Sequence, residues 1–175
     1  MSRHSLPNAS SPKLHLLCGK IASGKSTLAG QLAEAPVTLL ISEDRWLASL
    51  YGEEMNSVAD YVRCSAKLRS AITPHLISLL STGISVVLDF PANTVSLRKW
   101  MRGIAQAASA EPLLHYLNVA DSHCKTRLQA RNASGSHDFA ATEAQFELIS
   151  RYFEAPCASE GFTLIVHSSE QEGAE

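Results

Sequence analysis

The sequence has few cysteines, and they are spaced too widely to form a recognisable site. Its four cysteines, Cys18, Cys64, Cys124 and Cys157, form no CxxC pair and no cluster with histidines at zinc-binding spacing. Neither a disulfide framework nor a zinc knuckle is therefore expected. Free cysteine is among the residue types most often found in protein interiors, so we predict reduced, buried thiols.

Charge is also scarce, and its two signs nearly cancel. Fifteen Lys+Arg against seventeen Asp+Glu give a formal net charge of -2, and charged residues make up 18% of the chain. No global basic field is available for a nucleic-acid backbone, so a long nucleic acid is not an expected partner. No apolar run approaches the roughly 20 residues of a membrane helix. The N-terminal stretch lacks the hydrophobic segment of a secretory signal. We expect a cytoplasmic protein with no membrane partner.

The length and apolar content of the chain are sufficient for one compact domain. The chain has 175 residues, of which 45% are apolar, a size and composition typical of a single folded unit. Residues 1–12, rich in Ser, Pro and Asn, are predicted to be a disordered leader, and 169–175 an acidic tail. The folded domain is expected over residues 13–168.

Within that range, short apolar runs alternate with longer stretches of helical periodicity, which is typical of βαβ units and a parallel sheet. The runs predict five strands: Leu14–Cys18, Val37–Ile41, Ile84–Phe90, Leu113–Val119 and Phe162–His167. Their continuous hydrophobicity, as in ISVVLDF, is typical of parallel strands covered on both faces. We therefore predict an α/β fold of three layers, α/β/α, around a five-stranded parallel sheet.

The intervals between the strands predict six helices: Ser26–Glu34, Trp46–Leu50, Ser57–Ser81, Ser96–Ala108, Asp121–Arg131 and Thr142–Phe153. Pro74 should kink or restart the third, because proline removes a helical hydrogen bond. The last two helices flank the polar segment 132–141, which contains Gly, Ser, His and Asp and is predicted to be a mobile loop. We expect residues 121–142 to form a helical lid.

The stretch GKIASGKS at residues 19–26 matches the pattern GxxxxGK[ST] at every specified position. It follows a predicted strand and opens a predicted helix, which is the context that a phosphate-binding loop requires. Backbone N–H groups of such a loop surround phosphate oxygens at the positive end of the helix. We predict that ATP is bound here by Gly19, Lys20, Ile21, Ala22, Ser23, Gly24, Lys25, Ser26 and Thr27. Lys25 would bridge the β- and γ-phosphates, and the Ser26 hydroxyl would bind Mg²⁺.

Two carboxylates follow the neighbouring strands. Asp44 lies in ISEDRW after the second strand, and Asp89 ends the third in VVLDFPANT. Ligands of open α/β sheets lie beyond the carboxyl ends of the strands, so both acids should face the nucleotide. Asp44 could be the general base for an acceptor hydroxyl, and Asp89 could orient a Mg²⁺-bound water. The alternatives are a first-turn helix acid capped by Ser42 for Asp44, and a strand-end turn for Asp89.

Arginines supply candidate positive charge. Arg127 and Arg131 are four residues apart on a predicted helix, directly before the polar loop, so both face one way. Lid arginines of phosphoryl-transfer enzymes neutralise the transferring group, and we predict that role for both. The alternative is an ordinary solvated helix face. Arg45 and Arg98 are weaker candidates for contacts with substrate or phosphate.

These motifs resemble those of the small P-loop kinases grouped with the phage polynucleotide kinase domain, chloramphenicol phosphotransferase and zeta-type toxins. The resemblance runs from about Leu14 to Val166 and rests on GKIASGKST, ISEDRWLASLYG, VVLDFPANTVSLRKW, RLQARNASGSHDF and FELISRYFEAP with EGF. The chain looks most like bacterial relatives of that group described as AAA-type ATP-binding predicted kinases. The resemblance implies a nucleotide-kinase-like P-loop fold and a phosphotransferase with Asp44 as its base.

The combined reading is an ATP- and Mg²⁺-dependent kinase that moves the γ-phosphoryl group to a hydroxyl of a small-molecule or nucleotide-like acceptor. One alternative is a regulatory ATP-binding or ATPase module without an acceptor. Another is a polynucleotide 5′-hydroxyl kinase. Such enzymes carry Ser-x-Asp-x-x-Arg after the second strand, and Ser42 and Asp44 match this pattern, but Leu47 stands at the position of its arginine. No residue pattern identifies the acceptor or the oligomeric state.

Overall fold

The computed structural model describes residues 11–134 and 141–168. Five strands alternate with helices: β1 (Lys13–Cys18), β2 (Thr38–Ser42), β3 (Ser85–Pro91), β4 (Glu111–Asn118) and β5 (Thr163–Ser168). The α-helices are α1 (Lys25–Ala33), α2 (Glu43–Tyr51), α3 (Val58–Ser81), α4 (Val95–Ala107), α5 (Asp121–Ser134) and α6 (Glu143–Ser150). The acidic tail, residues 1–10 of the leader and residues 135–140 of the lid loop lie outside the described residues.

The strands form one sheet in the order β2-β3-β1-β4-β5, and every neighbouring pair is parallel. The predicted five-stranded parallel sheet with helices is confirmed. The order places β1 at the centre, between β3 and β4. The loop that follows β1 therefore opens at the middle of the carboxyl edge, where α/β sheets bind ligands.

Alternating residues of β1 belong to different cores, which shows that both faces of the sheet are covered. Leu14, Leu16 and Cys18 are fully buried in the larger core, which includes residues of α3 and α4. Leu17 points the other way and packs with Ala29 of α1 in a smaller core. The three-layer arrangement follows, and it fixes the sheet edge that carries the loop.

Three local predictions need correction. Of the two outcomes predicted at Pro74, the restart is wrong, because helix α3 is continuous through the proline. Buried Ile72 and Leu76 anchor it on both sides of Pro74, which offsets one lost hydrogen bond. Helix α6 ends at Ser150 instead of Phe153, because the Phe153 amide donates to the Ser150 carbonyl three residues back, in a turn. Of the four cysteines, Cys157 is exposed, since it lies in the irregular segment after α6. Across residues 11–134 and 141–168, no helix is long and apolar enough to cross a membrane.

Candidate functional site

The loop between β1 and α1 has a shape that only glycine allows at two positions. A Cβ added to Gly19 would lie 2.6 Å from Ser23 Oγ and 3.1 Å from the Leu117 carbonyl oxygen. Gly24 has a φ of 101°, in the left-handed region that favours glycine. The chain can therefore double back tightly at both ends of the loop, and its backbone stays open to a close-approaching ligand.

The start of α1 offers donors for an anion. No side chain caps its N-terminus in the described structure, and its first turn contains no acidic residue. Ser23 Oγ is buried and has no hydrogen-bond partner among the described residues, while Ser26 and Thr27 are exposed in the first turn. Free N–H groups and the helix dipole favour a phosphate at this position. The loop residues thus fit a nucleotide phosphate chain.

Lys25 is tied to the loop itself. Its ammonium donates hydrogen bonds to the carbonyl oxygens of Gly19 and Lys20, at 2.7 and 2.8 Å. Burial lowers the pKa of Lys25 to about 8, and the negative charges of Asp89 and Asp44 act against that decrease. The structure therefore brings the lysine and both predicted acids into one electrostatic neighbourhood.

The two acids come from adjacent elements at that edge. Asp89 lies near the end of β3, directly opposite Ser42 of β2 in the strand register. Asp44 is the second residue of α2 and is half-buried. Because α2 begins at Glu43, Asp44 lies in the first turn of this helix, as its alternative interpretation expected. Position in the first turn and orientation toward Lys25 are compatible, since the N-terminus of α2 faces the carboxyl edge.

Glu43, the neighbour of Asp44, has a different environment. It is only 2% exposed, and its carboxylate accepts a hydrogen bond from the Tyr61 hydroxyl at 2.9 Å. The Arg69 guanidinium lies 3.8 Å away. Burial raises the pKa of Glu43, and Tyr61 and Arg69 oppose the rise. This contact fixes α2 on α3 and leaves Asp44 as the less buried carboxylate of the pair.

Helix α5, which falls in the segment predicted to be a lid, contacts the loop directly. Arg127 Nη1 donates to the Ser23 carbonyl oxygen at 3.4 Å. Arg131 follows one turn later, and its Nε is buried without a hydrogen-bond partner among the described residues. A buried guanidinium N–H normally has an acceptor, so an anion could satisfy it. Of the two arginines, the structure places Arg127 against the loop and Arg131 further along the same helix.

Apolar packing holds α5 and α6 in this position. Cys124 and Leu128 of α5 and Phe146 of α6 form a small buried cluster. Ile21 and Ala22, in the middle of the phosphate-binding loop, pack against that cluster. The loop therefore shares a small core with α5 and α6.

Lys20 faces away from the loop, toward a surface cavity of about 250 Å³. Its ammonium pairs with Asp121, the first residue of α5, and lies 5.9 Å from the centre of the Phe153 ring. Tyr116 stacks on Phe153 with ring centres 6.2 Å apart. This cavity adjoins the loop and has flat aromatic walls, which the sequence did not reveal because Tyr116 and Phe153 are distant along the chain.

The two weaker arginine candidates lie in different environments. Arg98 is fully buried, and its guanidinium forms a double hydrogen bond with the Glu160 carboxylate at 2.6 and 3.0 Å. It also donates to the carbonyl oxygens of Ala92 and Glu154. These bonds occupy the guanidinium, so the prediction that Arg98 contacts the substrate is wrong. Arg45, the residue after Asp44, is exposed on α2.

One loop contact was not expected from any motif. The Gly19 N–H donates to Asn93 Oδ1 at 2.9 Å. Asn93 lies in the turn between β3 and α4, just before the N-cap residue Thr94. The only sequence signal was an asparagine in a strand-to-helix turn after Asp89, which is common and has no specific meaning by itself.

A magnesium ion would find few protein ligands here. Over the described ranges, no group of three or more His, Cys, Asp or Glu residues could hold a metal ion. Mg²⁺ commonly binds through one or two protein oxygens together with substrate phosphates and water. The Ser26 hydroxyl and the Asp89 carboxylate are oxygen donors of that kind, so the residues fit a nucleotide-dependent Mg²⁺ site.

Comparison with known proteins shows the family to which the chain belongs. A family model described as an AAA domain matches residues 14–156, which is most of the chain. Among curated proteins, the Protein KTI12 homolog of Arabidopsis thaliana is 28% identical over 148 residues, covering 82% of this chain and 47% of that protein. The chain thus spans about half the length of this curated relative.

Two solved structures illustrate the shared fold. Chaetomium thermophilum Kti12, in complex with ADP-AlF3, superposes with a TM-score of 0.71 at 17% identity, covering 91% of both chains. The APS kinase of Mycobacterium tuberculosis, in complex with AMPPNP and APS, gives a TM-score of 0.61 at 17% identity, covering 92% of this chain and 90% of that one. At such low identity, the likeness concerns the fold.

Proposed function

This chain belongs to the AAA domain family, and we propose that it is an ATP-dependent kinase that transfers the γ-phosphoryl group to a hydroxyl of a small-molecule or nucleotide-like acceptor. The observation that carries the proposal is the position of Asp44. Asp44 is the second residue of α2, directly after β2 at the carboxyl edge of the sheet where the phosphate-binding loop opens, and its charge contributes to the electrostatic environment of the Lys25 ammonium. A protein that only binds nucleotide does not need a base there.

The residues divide into a phosphate-holding and a proton-accepting part. ATP with Mg²⁺ supplies the phosphoryl group and neutralises part of its charge. The loop amides and Lys25 hold the phosphate chain, and Ser26 and Asp89 are the residues proposed to hold Mg²⁺. Arg127 and Arg131 add positive charge from the lid. This division follows the general logic of phosphoryl transfer, in which positioning and charge stabilisation dominate.

Asp44 accepts the proton of the acceptor hydroxyl. Glu43 cannot take that role, because its carboxylate is buried and bonded to Tyr61. Asp44 is half-buried, and it lies on the side of the loop opposite to the lid, since β2 and β4 lie on different sides of β1. An acceptor placed between Asp44 and the γ-phosphate would have its hydroxyl next to a base and its target phosphate next to Lys25.

The comparisons support nucleotide chemistry and leave two candidate functions. The APS kinase with AMPPNP and APS shows that a fold of this kind can hold an ATP analogue beside a small second ligand. The Kti12 structure with ADP-AlF3, together with the KTI12 homolog at 28% identity, favours the second candidate. That candidate is an ATPase module that hydrolyses nucleotide without a small acceptor.

A panel of acceptors separates the two candidates. Purified protein with ATP and Mg²⁺ is mixed separately with nucleosides, sugars, hydroxyl-bearing antibiotics and short oligonucleotides, and ADP release is followed. A kinase releases ADP faster with a matching acceptor, and Asp44→Asn abolishes the stimulation. A constant slow rate across the whole panel would favour the ATPase module, and stimulation by oligonucleotides alone would indicate a polynucleotide kinase.

A further inference from the structure

The first glycine of the phosphate-binding loop is held from outside the loop. Gly19 is buried, and its N–H donates to Asn93 Oδ1 at 2.9 Å. The carbonyl oxygen of the same glycine accepts a hydrogen bond from the Lys25 ammonium at 2.7 Å. Asn93 thus fixes one side of a residue whose other side fixes Lys25.

Asn93 lies in a turn that is held on two sides. Its carbonyl oxygen accepts a hydrogen bond from the Glu154 N–H at 2.9 Å. The preceding residue, Ala92, donates from its N–H to the Leu17 carbonyl of β1 at 2.9 Å. The Ala92 carbonyl oxygen accepts a hydrogen bond from Arg98 Nη1 at 2.9 Å. The turn that carries Asn93 is therefore bonded to the central strand and to the segment after α6.

A partly buried ion pair secures this turn. Arg98 is fully buried, and its double hydrogen bond with Glu160 joins α4 to the segment after α6. The same guanidinium donates to the Glu154 carbonyl at 2.9 Å. Hydrogen bonds to charged groups are shorter and stronger than those between neutral groups. The turn and the segment that follows the lid helices thus form one bonded unit.

We propose that Asn93 is a positioning residue for nucleotide binding, and that the Arg98–Glu160 pair holds Asn93 in place. By fixing Gly19, Asn93 sets the direction of the loop backbone and of the carbonyl that receives Lys25. This inference rests on the nucleotide-binding part of the proposed function. It adds a connection from the segment after α6, through Asn93, to the phosphate-binding loop.

The first test reads the Gly19 contact without any nucleotide or acceptor. Amide hydrogen exchange of Gly19 is measured by NMR in the wild-type protein, in Asn93→Ala and in Asn93→Asp. Loss of a buried acceptor should speed Gly19 exchange by about tenfold in Asn93→Ala. Asn93→Asp keeps an acceptor oxygen and should retain protection. Equal exchange in all three proteins would overturn the proposal, whatever reaction the protein performs.

The second test reads the consequence for ligand binding. AMPPNP titration with Mg²⁺ should show about tenfold weaker binding for Asn93→Ala, with the unfolding midpoint close to that of the wild type. Asn56→Ala is the matched control, because Asn56 is exposed and bonds only locally to the Glu53 carbonyl. A folded Asn93→Ala protein that binds AMPPNP as the wild type does would contradict the proposal.

A variant of the supporting pair completes the test. Glu160→Gln removes the charge and keeps a polar side chain, so it is expected to fold even if Glu160→Ala does not. Gly19 exchange should quicken and AMPPNP affinity should fall, each by a smaller factor than in Asn93→Ala. If Glu160→Gln changes the unfolding midpoint without changing Gly19 exchange, the pair is structural only and its link to the loop is refuted.

Discussion

The ammonium of Lys25 donates a hydrogen bond to the carbonyl oxygen of Gly19, 2.7 Å away, so the last residues of the phosphate-binding loop are joined to the first. The same ammonium also bonds to the Lys20 carbonyl. This lysine therefore contributes a positive charge and the closure of the loop. Both contributions matter for the first prediction.

Replacing Lys25 with alanine should abolish detectable ATP binding. The change removes the cation that faces the phosphates and the two bonds that close the loop, and each loss disfavours an anion. Isothermal titration with ATP and Mg²⁺ provides the measurement. Lys67→Ala is the control, since Lys67 is exposed on α3. Undiminished ATP binding by a folded Lys25→Ala protein would refute the loop assignment.

Replacing Asp44 with asparagine should separate binding from transfer. The amide keeps the size of the side chain and cannot accept the hydroxyl proton, so turnover should fall by about 100-fold or more. ATP affinity should stay within about twofold, because Asp44 faces the acceptor side. The rates come from single-turnover measurements with the acceptor identified in the panel. Glu34→Gln, at the exposed end of α1, is the control, and transfer at the wild-type rate would show that Asp44 is not the base.

Replacing Arg131 with alanine should lower turnover more than nucleotide affinity. Its buried Nε lacks a partner among the described residues, and lid arginines contribute mainly to the transition state. We expect at least a tenfold loss in kcat with a small change in the Kd for ATP, measured by steady-state kinetics and titration. Arg63→Ala serves for comparison, since Arg63 is exposed and pairs with Asp60 near the N-terminus of α3. Unchanged turnover would remove Arg131 from the site.

Three stacked histidines predict that acid weakens the fold. Nδ1 of His15 lies 3.0 Å from Nε2 of His115, and Nδ1 of His115 lies 3.0 Å from Nε2 of His167. Burial first, and then the two neighbouring histidines, lower the pKa of His115 to about 4. Burial and Lys13 also lower the pKa of His15, against an opposing effect of Glu111.

The sign of the pH effect follows from the lowered pKa of His115. Between the ordinary value of 6.5 and about 4, the unfolded chain binds a proton at this position and the folded chain does not. The free energy of unfolding therefore falls as pH decreases through this range, by up to about 3 kcal/mol. Urea denaturation at a series of pH values measures it. His115→Phe should flatten the dependence, and an identical slope in both proteins would count against it.

The phosphate-binding loop was predictable because its signal is local. Eight consecutive residues, 19–26, specify the turn, and the adjacent strand and helix follow from hydrophobic patterns. Asp44 and Glu43 are adjacent in the sequence, and the family resemblance selects Asp44 without showing how their environments differ. Only the packing of α3, which brings Tyr61 to Glu43, shows which of the two is committed to the interior.

Arg98 and Asn93 show where sequence reasoning fails. From the sequence, Arg98 was a candidate for a contact with the substrate. In the fold it is paired with Glu160, which lies 62 residues later in the chain. Asn93 acquires meaning only when the β1 loop lies next to the β3–α4 turn. Both roles depend on long-range contacts whose partners carry no motif. The phosphate-binding loop was therefore predictable from the sequence, and the contacts that support it were not.

The most direct test of the central claim follows the γ-phosphoryl group itself. Wild-type protein is incubated with γ-labelled ATP, Mg²⁺ and the acceptor that most stimulates ADP release, and the label is located by chromatography and mass spectrometry. Our account predicts that the label appears on a hydroxyl of the acceptor, in amounts equal to the ADP formed. Label found only in inorganic phosphate, at a rate independent of every acceptor, would contradict it.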